Sequence, residues 1–215
     1  GIKPIIGCEV YQALNSRHDR GDVAKKNRPM SVGLADIAAD GTAMASQRAE
    51  SHRTQSNHLV LLAENDIGYA NLVKLVSYAH LEGFYYKPRI DRELLDRYHG
   101  GLIGLSACLK GRIAERILEG DEAGALREAG EYGEIFGKGN FYLELQENGM
   151  EPQRRVNAAL LEIARKTGLP SVATNDVHYI EQFHSDAHEI MLCLQTGTTI
   201  SDPRRLRYET NQLHM

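Results

Sequence analysis

Apolar positions along the chain fall into two kinds of run, and their spacing predicts strands alternating with helices. Short, densely apolar stretches read as strands: KPIIGCEVY (3–11), HLVLLAE (58–64), GLIGLSA (101–107), NFYLELQ (140–146) and PSVATN (170–175). Between them, apolar residues recur at helical spacing. DIGYANLVKLVSYAHLEG places Leu72, Leu75, Val76 and Ala79 on one face. KGRIAERILEG and DEAGALREAGEYGEIFG predict two further helices, each closed by Gly. EPQRRVNAALLEIARKTG has the clearest bounds, with Pro152 near its start, Leu160, Leu161 and Ile163 inside, and Gly168 past its end. A last helix is expected over about 181–195.

Strands separated by helices imply an α/β protein with a parallel sheet covered by helices, either an open doubly wound sheet or a barrel. No Gly-rich phosphate loop follows the first strand, which weakens a nucleotide-binding version. Region 12–57 breaks the alternation. It is polar, holds no sustained period, and predicts a long excursion between two strands that is flexible at least in part.

Composition changes this picture only modestly. The 215 residues suffice for one large domain or two small ones, and 42% apolar with 25% charged residues is ordinary for a soluble globular protein. A net charge of -4 argues against a strongly basic nucleic-acid clamp. It leaves phosphate chemistry open, because metal ions supply positive charge locally. Three widely spaced cysteines, Cys8, Cys108 and Cys193, suit a reducing, cytoplasmic compartment better than a disulfide framework. No apolar stretch approaches the roughly 18 residues of a membrane span. The opening GIKPIIGCEVY has neither a signal peptide nor an initiating Met, and RYETNQLHM stops without a cap or turn, so both ends are expected to be cuts.

In a parallel α/β layout, ligands gather at the carboxyl ends of strands. The first predicted strand ends near Cys8 and Glu9, the third reaches Cys108, and the fifth runs out into Asn175, Asp176 and His178. His58 departs from this pattern because it opens its strand. Glu9, His58, Cys108, Asp176 and His178 form the donor set a divalent transition metal prefers. Each alone has a plain structural reading: a hydrogen-bonded His, a small buried Cys, a loop with a helix cap. Their coincidence at successive strand ends favours a shared site.

Three other features bear on chemistry. His184 and His188 stand at i,i+4 on the last predicted helix, but no acid completes the H-E-x-x-H pattern, and a structural role is expected. In GFYYKPRID, Tyr85 and Tyr86 with Lys87 and Arg89 offer rings and cations that suit nucleic-acid phosphates and bases. A loop whose tyrosines pack on the sheet edge explains the segment equally well. In LELQENG, Glu144 shares a face with Tyr142 and Gln146 and is expected to face solvent without a role.

Together, GIKPIIGCEVY, HLVLLAENDIGYANLVKLVS, EGFYYKPRIDRELL, GLIGLSACLKG, FYLELQENG, ATNDVHY and AHEIMLCLQTG resemble, in order, the polymerase-and-histidinol-phosphatase (PHP) domain of bacterial DNA polymerase III alpha subunits. The match covers most of the chain outside 12–57. It implies a distorted, TIM-like β/α barrel of seven strands holding up to three ions of zinc, manganese or iron. Carried across by motif, Glu9 bridges two metals, His58 and Cys108 hold the second, Asp176 the first and His178 the third, and Asp176, His178 and Glu9 are catalytic. The family's opening H-x-H strand and a later Asp-His pair have no counterpart here, so five of the usual nine ligands are present and the barrel would lack early strands.

The polymerase domains, with their magnesium, also have no counterpart, so residues 1–215 read as a partial PHP domain. The implied activity is metal-dependent phosphodiester hydrolysis, as a 3'-to-5' proofreading exonuclease within a DNA-directed DNA polymerase. The implied partners are DNA, the sliding clamp and a proofreading subunit. The rival expectation is a non-catalytic scaffold that stabilises the polymerase and docks that subunit. A stand-alone phosphatase is less favoured, and FYYKPRID favours the replicative over the error-prone type.

Overall fold

The computed structural model describes residues 2–20, 56–208 and 210–215. Most of the polar excursion, 21–55, lies outside the described residues. Six strands form one sheet in the order β3-β1-β2-β4-β5-β6. They are β1 (Gly7–Ala13), β2 (Ser56–Ala63), β3 (Arg89–Ile90), β4 (Leu102–Leu105), β5 (Phe141–Gln146) and β6 (Ser171–Thr174). Around them stand α1 (Asp66–Leu81), α2 (Arg92–Tyr98), α3 (Arg112–Leu118), α4 (Glu122–Phe136), α5 (Glu151–Thr167) and α6 (Ser185–Thr196). A short 3-10 turn, Gln182–His184, leads into α6.

The expected all-parallel sheet is corrected to a mixed one. β2 runs antiparallel to both β1 and β4, whereas β1–β3, β4–β5 and β5–β6 are parallel. Apolar runs of this length mark a strand without encoding its direction, which depends on how the connections return the chain. The first strand also begins and ends later than expected, so Glu9 sits inside it. β3 and α2 were not anticipated, since both fall in or beside the segment read as a cationic loop.

The helical patterns hold. α1 buries Leu72, Leu75 and Ala79, and its cap Asn65 accepts the Gly68 N–H at 3.0 Å. Gly68 has to be small, because a Cβ there would lie 1.7 Å from the Gly101 carbonyl oxygen. α5 buries Val156, Leu160 and Ile163 and ends on Gly168 in the left-handed region, whereas Leu161 is exposed. These faces meet Val10, Leu59, Leu61, Phe141 and Leu143 in one core. Along β2 burial alternates, with Asn57, Leu59 and Leu61 buried and His58, Val60 and Leu62 only partly covered. One face of β2 therefore packs on the core, while the other carries His58.

The beginning of the excursion is firmly docked. Arg17 is buried, its Nε donates to Glu82 at 2.8 Å, and its Nη1 reaches both oxygens of Asp91 at 3.0 and 3.1 Å. Arg89 clamps the same stretch from β3, donating from Nη2 to the carbonyls of Arg17 and Asp19 and from Nε to that of Gly83.

Candidate metal centre

The antiparallel β2 explains the residue that broke the pattern. Because β2 runs against its neighbours, its first residues lie at the same end as the carboxyl ends of β4, β5 and β6. Tyr11 pairs with His58 across β1 and β2, which makes Glu9 the diagonal neighbour of His58 on the same face. His58 Nδ1 stands 3.0 Å from Glu9 Oε1 and 3.8 Å from Cys108 Sγ. At 3.0 Å the first is a direct hydrogen-bonded contact, and the second lies near the roughly 3.4–3.6 Å that separates two ligands of one tetrahedral zinc.

Cys108 follows β4 in a tight loop. Gly111 N–H donates to the Cys108 carbonyl at 2.8 Å, and a Cβ on Gly111 would lie 2.0 Å from the Ser106 carbonyl oxygen. Ala107, beside Cys108, has a φ of 63°, in the left-handed region. Gly111→Ala should force this loop apart, costing about 1–3 kcal/mol. Mass-spectrometric thiol labelling checks it: Cys108 should react faster than in the parent sequence, and an unchanged rate would show that the loop tolerates the methyl group.

Glu144, expected to face solvent, is buried instead. Its Oε2 accepts the Ala107 N–H, its Oε1 accepts the Thr174 hydroxyl at 2.9 Å, and its own N–H donates to Ser106 Oγ. It ties the Cys108 loop to β5 and β6 at the end of the sheet where Asp176 and His178 emerge. The face shared with Tyr142 and Gln146 is covered, since Gln146 is also buried.

After β6, the Asp176–His178 loop is held by the C-terminal residues. His178 N–H donates to the Leu213 carbonyl at 2.8 Å, and Asn175 Nδ2 donates to the carbonyls of Gln212 and His214. His178 Nδ1 is 3.9 Å from Asp176 Oδ1, and its Nε2 is 3.1 Å from Tyr208 Oη. The His178 ring also meets that of His188 at 5.5 Å. His184 does not share this site, because its Nδ1 accepts the Glu181 N–H.

The two groups feel one another's charge. The hydrogen bond from His58 holds the Glu9 carboxyl below its usual range against the opposing effect of burial, with His178 helping. Burial raises Asp176, and Glu9 adds to this. Burial likewise raises Glu144, with Glu9 and Asp176 adding. Burial and the Asp176 charge push the Cys108 thiol up to about 12. Three carboxylates and a thiol thus crowd one half-buried region, an arrangement a bound cation would relieve. Among the described residues, no three His, Cys, Asp or Glu side chains already enclose a metal position. The donor types fit a divalent transition metal; the enclosure is not complete in these side chains.

The basic candidates separate. Arg89 is 1% exposed with its guanidinium spent on carbonyls, so it does not reach this region. Lys87 is exposed, with Nζ 5.2 Å from the Tyr11 ring centroid, and Tyr11 packs edge-on against His58. Glu144 and Tyr208 were missed as members of the region, and His188, weighed only with His184, was given a structural role. Glu144 carried a signal, an acidic residue inside an otherwise apolar strand, and His188 carried its i,i+4 spacing.

The PHP domain family model matches residues 1–148. DNA polymerase III subunit alpha of Treponema pallidum is 39% identical over 215 residues, covering 100% of this chain and 16% of that protein. The protein of the same name from Thermus aquaticus is 41% identical, covering 100% of this chain and 15% of its own length. That from Deinococcus radiodurans is 34% identical, covering 100% and 14%. The chain therefore spans about a sixth or less of the length of these curated relatives, and their matches run past the family match over the whole chain. With Glu9, His58 and Cys108 all inside the matched residues, the chain belongs to the PHP domain family.

Proposed function

We propose that this chain is the PHP portion of a bacterial replicative DNA polymerase, a DNA polymerase III alpha subunit, and that its site hydrolyses phosphodiesters as a 3'-to-5' proofreading exonuclease. The observation that carries this reading is the approach of Glu9, His58 and Cys108, donated by three separate segments, with Asp176 close enough to raise the Cys108 pKa. The barrel closure expected for the family belongs to the same proposal.

Glu9, His58 and Cys108 would hold one ion, and Asp176 and His178 would hold others, with zinc, manganese or iron suiting the donor types. Ions bound there supply Lewis-acid polarisation of the phosphate and a nucleophilic water whose pKa falls toward about 7. The protein's own residues do the rest. Glu144 keeps the Cys108 loop in register with β6. Tyr208 meets the His178 ring at Nε2 and the Asp176 carbonyl meets it at Nδ1, so an ion on His178 would replace one of these two contacts. Lys87, exposed beside Tyr11, offers a cation to the nucleic-acid backbone. Polymerisation, with its magnesium, belongs to the rest of the parent, as do contacts with the sliding clamp.

In the full-length parent, Asp176→Asn should abolish release of nucleotides from a 3' end while primer extension continues at its normal rate. Undiminished hydrolysis removes the assignment.

One observation favours the second reading, a non-catalytic scaffold that stabilises the polymerase and docks a proofreading subunit. The Glu9–His58 separation of 3.0 Å is that of a direct hydrogen bond between the two side chains. Metal content of the purified parent discriminates, since a scaffold of this kind should hold far less than one ion per chain.

A further inference from the structure

A cleft of about 790 Å³ opens between α6 and the C-terminal residues, with Tyr208 in its lining. Its size is that of small-molecule sites, which run from about 300 to 1,000 Å³. One wall is aromatic: Tyr179 and Tyr208 flank His188 with ring centroids 5.5 and 5.6 Å from it. The Tyr179 hydroxyl is buried and has no hydrogen-bond partner among the described residues. Such a group normally has one, so this hydroxyl calls for a ligand or water atom.

The charge of the cleft decides what it suits. Arg205 is neutralised by Glu189 at 2.6 Å, and Arg207 and Asp186, both lining it, are opposite in sign. With no net positive charge, the cleft is a poor trap for a bare phosphate. An uncharged aromatic group with polar edges fits better, stacking on the rings of the aromatic wall. A nucleobase has both properties. Tyr208 joins the two sites, since its hydroxyl touches His178 while its ring lines the cleft.

We propose that the cleft receives the base of the terminal nucleotide of a DNA strand, so that the phosphodiester next to it lies at the Glu9–Asp176 region. The proposal rests on the hydrolytic reading above and deepens it by naming how the strand end is held. No bond is made or broken in the cleft.

The test uses the full-length parent and an oligonucleotide ending in 5-iodo-2'-deoxyuridine, photo-crosslinked and mapped by peptide mass spectrometry. Adducts are expected on Tyr179, His188 or Tyr208. Filling the cleft with Ser185→Trp, or from the opposite wall with the exposed Gln212→Trp, should lower their yield by about 10-fold or more, as loss of base stacking does. Adducts only elsewhere in the protein, or an undiminished yield in both filled variants, overturn the cleft assignment. Adducts in the cleft of a parent that cleaves no DNA end support the cleft and overturn the hydrolytic reading alone.

Discussion

Arg17→Ala should loosen the β3 edge by about 3–5 kcal/mol, the usual cost of leaving one partner of a buried pair uncompensated. Arg17 faces three carboxylates, but they are not equivalent. The side chains of Glu82 and Glu93 are 35% and 58% exposed and can turn to water, whereas that of Asp91 is 4% exposed and cannot. Burial works against the Arg17 charge, yet the surrounding carboxylates raise its pKa, so the cation is held firmly. Asp91 also caps α2 by accepting the Leu94 N–H at 3.1 Å. Removing Arg17 therefore strands a buried charge and disturbs a helix start together. Native-state hydrogen exchange at Ile90 and Leu94 should accelerate by roughly 10²–10³-fold, each factor of ten corresponding to about 1.4 kcal/mol. Arg17→Ala combined with Asp91→Asn should recover part of the loss; full additivity would mean the pair contributes nothing.

His58→Ala should lower hydrolysis by the full-length parent by at least about 100-fold, since replacing even residues that only support metal ligands costs 10–100-fold. Its Nδ1 is the one atom that touches both Glu9 and Cys108. Without it, the Cys108 thiol loses the imidazole beside it, while burial and Asp176 still raise its pKa. Bound metal, measured by elemental analysis, should fall by one ion per chain, and primer extension should persist. Hydrolysis falling with metal content intact would assign His58 to substrate binding rather than to an ion. Neither quantity changing would leave His58 as packing for Tyr11.

Much of the fold was written in local patterns. α1 and α5 follow from apolar spacing and from their ends, Asn65 accepting an orphan N–H and Gly168 taking a conformation other residues avoid. The ligand candidates were legible by residue type, because a thiol, imidazoles and carboxylates at the ends of apolar runs are rarely needed for packing alone. Arg89 and Glu144 were misread for one reason. Burial of a charged side chain depends on partners distant in sequence: Arg89 is held by the carbonyls of Arg17 and Asp19, and Glu144 by Ala107 and Thr174. No window of sequence around either residue contains those partners.

By itself, then, the sequence determined the longer helices and strands, though not β3 or α2, and which side chains are chemically able to hold a cation. Only the tertiary structure decided that β2 runs backwards and delivers His58 to Glu9 and Cys108, and that Tyr208 and His188 stand beside His178. Periodicity records which face of a segment is apolar. Strand direction and the meeting of distant side chains arise only when those faces are packed together.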